Sequence, residues 1–352
     1  MTSLDDPDSF AVDASGMFGH IERLGTELEL AWAAHGHSPI SLERPNSVTL
    51  AGMGGSASAA DFFAAVVERE AGVPVSVVRD SQLPGHVGRG SFVVVVSYSG
   101  TTDEAISCYD QALARGAATF AVTSGGELAQ RARQGGHAVC VIDYAAPPRA
   151  ALAHTLAPLL ALAPTCGVSP IDALAIGRAA DIHRGRVKTE LGRHVPTTSN
   201  PAKLVASDLL GGGIPVIFTA EHLNAAGRRG KNQFAENAKV LASFEELPEA
   251  SHNTVVSLEA SGARQVGLAF DSPILNVGNR RRIAITAKLF AEQGFPFHCY
   301  QLSGASPLAD LFEASAILDF TSCYLAVLRG IDPTPTPNLT RVRAEASAAE
   351  AV

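Results

Sequence analysis

The chain has 352 residues, enough for two domains that each bury a core, and with 46% hydrophobic and 18% charged residues it has the balance of a folded protein, not a disordered one. Its net charge of −8 excludes a broad basic surface for nucleic acid, so an anionic ligand would have to be met by a local pocket of donors. The five cysteines, Cys108, Cys140, Cys166, Cys299 and Cys323, are odd in number and widely spaced, which excludes a disulfide framework and gives no zinc-ligand spacing.

The acidic start, MTSLDDPDSF, lacks the apolar stretch of a secretory signal, and no uncharged apolar run has the length of a membrane span. A reduced, cytoplasmic protein without a membrane partner is expected. Residues 1–45 read as a lead-in with an amphipathic helix over Met17–Ala34. From residue 46 strands and helices alternate. Strands are expected at Ser47–Ala51, Pro74–Arg79, Phe92–Ser97, Ala118–Thr123 and Ala138–Asp143, with helices at Ser56–Glu70, Thr102–Arg115 and Glu127–Gln134. Helical stretches over Arg149–Leu162 and Ile171–Thr189 then lead into a second alternation. There the strands are Ile214–Ala220, Gln265–Asp271 and Pro296–Gln301, and the helices Ala226–Leu241, Arg281–Gln293 and Pro307–Arg329. Apolar strands flanked by helices predict an α/β fold of two tandem domains, each a mostly parallel, doubly wound sheet. The expected boundaries are 46–165 and 201–330, joined by a helical linker over 166–200. A Pro-rich, then Ala/Glu-rich tail follows at 331–352, its end expected to be disordered.

Two turns at strand ends could hold an anion. In Gly52-Met53-Gly54-Gly55-Ser56 the glycines admit a ligand close to the backbone, the following helix start offers N–H groups, and Ser56 adds a hydroxyl. As a dinucleotide fingerprint it is partial, because no acidic residue stands at the ribose distance and Asp80 lies too far on; no GKS or GKT follows for a P-loop. The second turn, Ser97-Tyr98-Ser99-Gly100-Thr101-Thr102-Asp103-Glu104, is a cluster of neutral donors, with Ser97, Ser99 and Thr102 the principal candidates. Such a cluster suits a phosphate dianion bound without a metal, the lesser alternative being a hydroxyl-rich turn with an N-cap at Thr101 or Thr102. The segment SYSGTTDEAI resembles the hallmark of SIS (sugar isomerase) domains, which serve isomerases, synthases and regulators alike.

The second half separates these. Arg228-Arg229-Gly230-Lys231-Asn232-Gln233-Phe234-Ala235-Glu236-Asn237-Ala238-Lys239 and Glu246-Leu247-Pro248-Glu249-Ala250-Ser251-His252-Asn253 resemble paired blocks of the bifunctional phosphoglucose/phosphomannose isomerases, as do GMGGS, SYSGTT and GIDPTP. The resemblance spans about Leu50 to Pro337. It implies aldose–ketose isomerisation of glucose 6-phosphate, and mannose 6-phosphate, with fructose 6-phosphate through an enediol, with no metal or cofactor, in a homodimer. Glu236 would then be the base at C1/C2, His252 the ring-opening acid/base donated across the dimer, and Arg149 a stabiliser of the enediol. The phosphate would lie on Gly55, Ser56, Ser97, Ser99 and Thr102. The family usually carries a lysine after the DPTP segment; here Arg343 or Arg341 would take its place, and Thr336 or Thr334 would leave room for both C2 epimers. A non-catalytic SIS regulator would share the hydroxyl loop without needing Glu236 and His252 together.

Overall fold

The structure, a computed structural model, describes residues 3–37, 40, 44–260 and 262–349. Helix α1 (Met17–His35) precedes strands β1 (Ser47–Gly52), β2 (Val75–Val78), β3 (Ser91–Val96), β4 (Ala118–Thr123) and β5 (Ala138–Val141), which alternate with α2 (Gly54–Val67), α3 (Asp103–Ala114) and α4 (Gly126–Gln134). The strands form one parallel sheet in the order β2-β1-β3-β4-β5. The central strand β3 is Ser-Phe-Val-Val-Val-Val, a β-branched run that can be buried on both faces. Successive side chains point to opposite faces: Phe92, Val94 and Val96 enter an inner cluster with α2, while Val93 and Val95 pack under α3 and α4.

Helices α5 (Leu152–Leu160), α6 (Ala173–Arg186) and α7 (Pro201–Leu210) lead to the second half. There β6 (Ile214–Ala220), β7 (Ser243–Leu247), β8 (Gln265–Asp271) and β9 (Phe297–Gln301) make a parallel sheet in the order β7-β6-β8-β9, with α8 (Asn224–Gln233), α9 (Val277–Glu292) and α10 (Pro307–Leu328) around it. The inner apolar cluster runs unbroken from β1 through α2, α5 and α10 to β6 and β8, so the halves share one core.

Helix α10 is long and apolar enough to cross a membrane, yet 94% of its apolar window is buried inside the protein. Its buried carboxylates are all partnered, as burial of charge requires. Asp310 accepts from Ser272 Oγ (2.5 Å) and lies 3.1 Å from His222 Nε2; Glu313 accepts from Arg186 Nε (3.0 Å) and Ser303 Oγ (2.6 Å); Asp319 accepts from Arg229 Nη2 (2.6 Å).

The strands expected at Ala118–Thr123, Ile214–Ala220 and Gln265–Asp271 coincide with β4, β6 and β8, whereas β7 and α7 were not expected. The helix expected over Ala226–Leu241 stops earlier. Helix α8 widens at Gln233 into a π-type turn, Phe234–Ala238, that ends on Lys239 at φ 57°. The tail forms helix α11 (Pro337–Ala349); its last three residues, 350–352, lie outside the described ones.

Candidate active site

In parallel sheets ligands bind at the carboxyl ends of strands, where the chain order reverses. In the first sheet that point lies between β1, whose chain leaves toward β2, and β3, whose chain leaves toward β4. The glycine turn follows β1 and the hydroxyl turn follows β3, so the topology itself brings the two together. Ser56 is buried, and its Oγ accepts the Tyr98 N–H at 3.1 Å, which leaves its own hydrogen for a ligand oxygen. Ser97 Oγ accepts the Gly100 N–H (3.1 Å) and donates to Thr102 Oγ1 (3.1 Å), while Ser99 Oγ accepts from Thr101 N (3.3 Å) and lies 3.5 Å from Thr102 Oγ1. The hydroxyls thus hold one another in place. Gly100 has φ 68°, and a Cβ there would collide with the Gly125 carbonyl, so glycine is required. Thr102 is the N-cap of α3 but makes no side-chain capping bond, which leaves the helix start open toward the turn.

The glycine turn also positions the next group. A Cβ on Gly55 would stand 2.7 Å from the Pro148 carbonyl oxygen and 3.0 Å from the Arg149 nitrogen. Only glycine lets the short turn Pro148–Ala150 approach this closely. Gly55→Ala is therefore expected to cost about 1–3 kcal/mol in urea unfolding and to lower activity with it, because backbone must yield to the methyl group. Tyr98 ties the same region from the other side: its hydroxyl donates to the Tyr144 carbonyl and accepts the Ala146 N–H at 3.1 Å.

Arg149, only 4% exposed, is the centre of the arrangement. Its Nη1 donates to Glu236 Oε2 at 3.3 Å, Nε to Asn237 Oδ1 at 2.8 Å, and Nη2 to the carbonyls of Pro333 (2.8 Å) and Thr334 (2.9 Å). Burial pushes its pKa down while the Glu236 carboxylate opposes that shift. Beneath it, Arg229 donates to the Arg149 carbonyl (3.0 Å) and to Asp319, which also accepts from Gln233 Nε2 (2.9 Å); Asn237 Nδ2 donates to Ser322 Oγ (3.0 Å). Helix α8, its π turn and α10 therefore fix the guanidinium plane. Glu236, with its side chain 26% exposed, lies at the accessible edge of that network. A carboxylate beside a fixed cation can take a proton from carbon while the cation balances the charge that develops on oxygen. Among the described residues no cluster of His, Cys, Asp and Glu could hold a metal ion.

Residues 41–163 match the SIS domain, and residues 198–345 match the bacterial phospho-glucose isomerase C-terminal SIS domain. A bifunctional phosphoglucose/phosphomannose isomerase from Caldicellulosiruptor bescii is 30% identical over 334 residues, covering 92% of this chain and 96% of the relative. The chain belongs to the bifunctional phosphoglucose/phosphomannose isomerase family. A second relative of that name, from Thermoplasma volcanium, is 30% identical over 85% of this chain and 91% of its own. A glucose-6-phosphate isomerase like protein from Thermus thermophilus has the same fold, with a TM-score of 0.62 at 21% identity over 98% of this chain and 99% of its own. A hypothetical protein from the same organism gives 0.70 at 17% identity over 95% and 91%.

Within this family member, the structure brings Gly55, Arg149 and Glu236 to one place, with Ser56, Ser97, Ser99 and Thr102 on the adjoining turns. Three expected residues stand apart from it. Arg343 is exposed on α11 and makes no hydrogen bond or ion pair among the described residues, because the tail turns outward into a helix after Pro337. Of the two threonines, Thr334 lies against Arg149, with a buried Oγ1 that has no partner, whereas Thr336 stands at the start of α11, where its backbone carbonyl accepts the Thr340 N–H (3.2 Å). His252, itself exposed, ends the turn Glu249–His252 after the edge strand β7 and makes no hydrogen bond to Glu236 among the described residues. The sequence reading missed Tyr98 as a tether, Asn237 as a brace and Asp319 as the buried anchor. A carboxylate midway along so apolar a helix was the available signal for Asp319.

Proposed function

We propose that this protein interconverts glucose 6-phosphate and mannose 6-phosphate with fructose 6-phosphate by moving a proton between C1 and C2 through an enediol. The single observation that carries the reading is the Arg149–Glu236 pair, built from opposite halves of the chain. The hydroxyl and glycine turns take the phosphate, which anchors the sugar without a basic surface. Glu236 takes the proton from one carbon and returns it to the other, and Arg149 meets the oxygen that becomes negative in between. No step calls for a metal ion.

Ring opening needs a general acid/base, and an imidazole such as that of His252 is the side chain most often used for one. Its exposure supports a homodimer in which each chain supplies His252 to its partner's Glu236. The five free thiols favour a reducing, cytoplasmic setting. The test is direct: purified protein in EDTA should convert fructose 6-phosphate to glucose 6-phosphate and to mannose 6-phosphate, each followed through a coupled dehydrogenase. Binding of fructose 6-phosphate in calorimetry with no turnover would replace this reading with a sugar-phosphate-sensing regulator.

A further inference from the structure

The segment Asp332-Pro333-Thr334-Pro335-Thr336-Pro337 contains three prolines, none of which can donate a backbone hydrogen bond. No sheet or helix ladder holds residues 332–335 over the site; Asp332 accepts from Ser15 Oγ at 3.1 Å at one end, and the carbonyls of Pro333 and Thr334 dock the rest. Arg149 Nη2 takes the carbonyls of Pro333 and Thr334 at 2.8 and 2.9 Å, and Lys239 Nζ reaches the same Pro333 oxygen at 3.2 Å. The ammonium also donates to the carbonyl of Glu236, three residues earlier. Lys239 makes this reach from the left-handed region, at φ 57°, which side chains other than glycine and asparagine seldom adopt. Nothing in the packing forces a long cation to this spot: the residue is exposed, and desolvation and the Arg149 charge both lower its pKa. A cation is nevertheless set beside another cation, with one carbonyl oxygen between them.

We infer that Lys239 is a positioning residue that clamps Pro333 of the tail to the turn carrying Glu236, so that the carboxylate, Arg149 and Thr334 keep one geometry. The clamp joins the backbone of the proposed base to the tail that closes over Arg149. Losing it would leave Arg149 as the sole side-chain cation on the Pro333 oxygen and let the tail shift relative to Glu236. For its effect on turnover the inference rests on the isomerase reading; for the docking of the tail it stands alone.

The experiment compares wild type with Lys239→Asn and Lys239→Arg. Asparagine tolerates the left-handed conformation, so the first variant removes the ammonium without straining the turn. With fructose 6-phosphate, K239N should lose about tenfold in kcat, the scale expected for a small misplacement of reacting groups. Its KM should stay within about twofold, because the phosphate loops are untouched. Amide exchange over residues 331–340 should speed up. K239R, which still donates to the Pro333 oxygen, should recover most of kcat and the slow exchange. Wild-type kcat in K239N, unchanged exchange over 331–340, or a K239R as slow as K239N would each overturn the clamp. An inactive wild type would overturn the isomerase reading instead, and the exchange comparison would still decide whether Lys239 docks the tail.

Discussion

Glu236→Gln is expected to lower kcat for fructose 6-phosphate isomerisation about 10³-fold while KM stays near the wild-type value. The amide keeps the size of the carboxylate, and its oxygen can still accept from Arg149 Nη1, now at 3.3 Å from Oε2, so the surrounding network should remain folded. What disappears is the capacity to take a proton from carbon. Three measurements separate this from a structural effect: thermal unfolding should be unchanged, calorimetry should still record binding of fructose 6-phosphate, and exchange of the C1/C2 hydrogen with deuterated solvent should stop. A variant that keeps a tenth or more of wild-type kcat would remove Glu236 from the proton path. One that no longer binds the sugar would make it a substrate-holding group.

Arg149→Lys should follow closely, with kcat down about a hundredfold or more, the scale of deleting a preorganised donor at a developing oxyanion. Charge is preserved, so a purely Coulombic role would survive the exchange. The planar fork is not preserved. Arg149 serves Asn237, Glu236, Pro333 and Thr334 from three separate nitrogens, whereas an ammonium is a single point with a shorter stem. The carbonyls of the tail would lose partners, and Glu236 would lose its oriented neighbour. Wild-type turnover in this variant would show that the forked geometry is irrelevant to the chemistry.

Much of the fold was legible because strand patterning and turn chemistry agreed. The valine run at 93–96, ended by Ser97, reads as a buried strand opening into a turn, and Gly116 and Gly211–Gly213 mark the approaches to β4 and β6. Strand β7 escaped because Phe244-Glu245-Glu246 carries charges onto a sheet edge, where side chains need not be apolar. Helix α8 looked continuous to Leu241 because the sequence has no glycine or proline to mark the π turn, and the stop is set instead by Asn237 bracing Arg149 and Lys239 turning left-handed. The glycine and hydroxyl turns could be read locally, since each is one contiguous stretch. The pairing of Arg149 with Glu236 could not, because the two are 87 residues apart and meet only through the shared core. For the same reason the spacing of the tail could not show that Thr334, and not Thr336, lies against Arg149, since that depends on which carbonyls the guanidinium reaches.

Helix α10 raises a question of how the newly made chain is sorted before it packs. A ribosome-bound segment of that length and apolarity would be scanned by the insertion machinery on the same terms as an anchor. An acidic side chain at the middle of such a helix disfavours insertion by about 2.5–3.5 kcal/mol, and Asp319 stands near that point. The aspartate that grips Arg229 adds to that cost together with Asp310 and Glu313 on the same helix, so Asp319→Leu would both strip Arg229 of its buried partner and make the isolated segment more apolar.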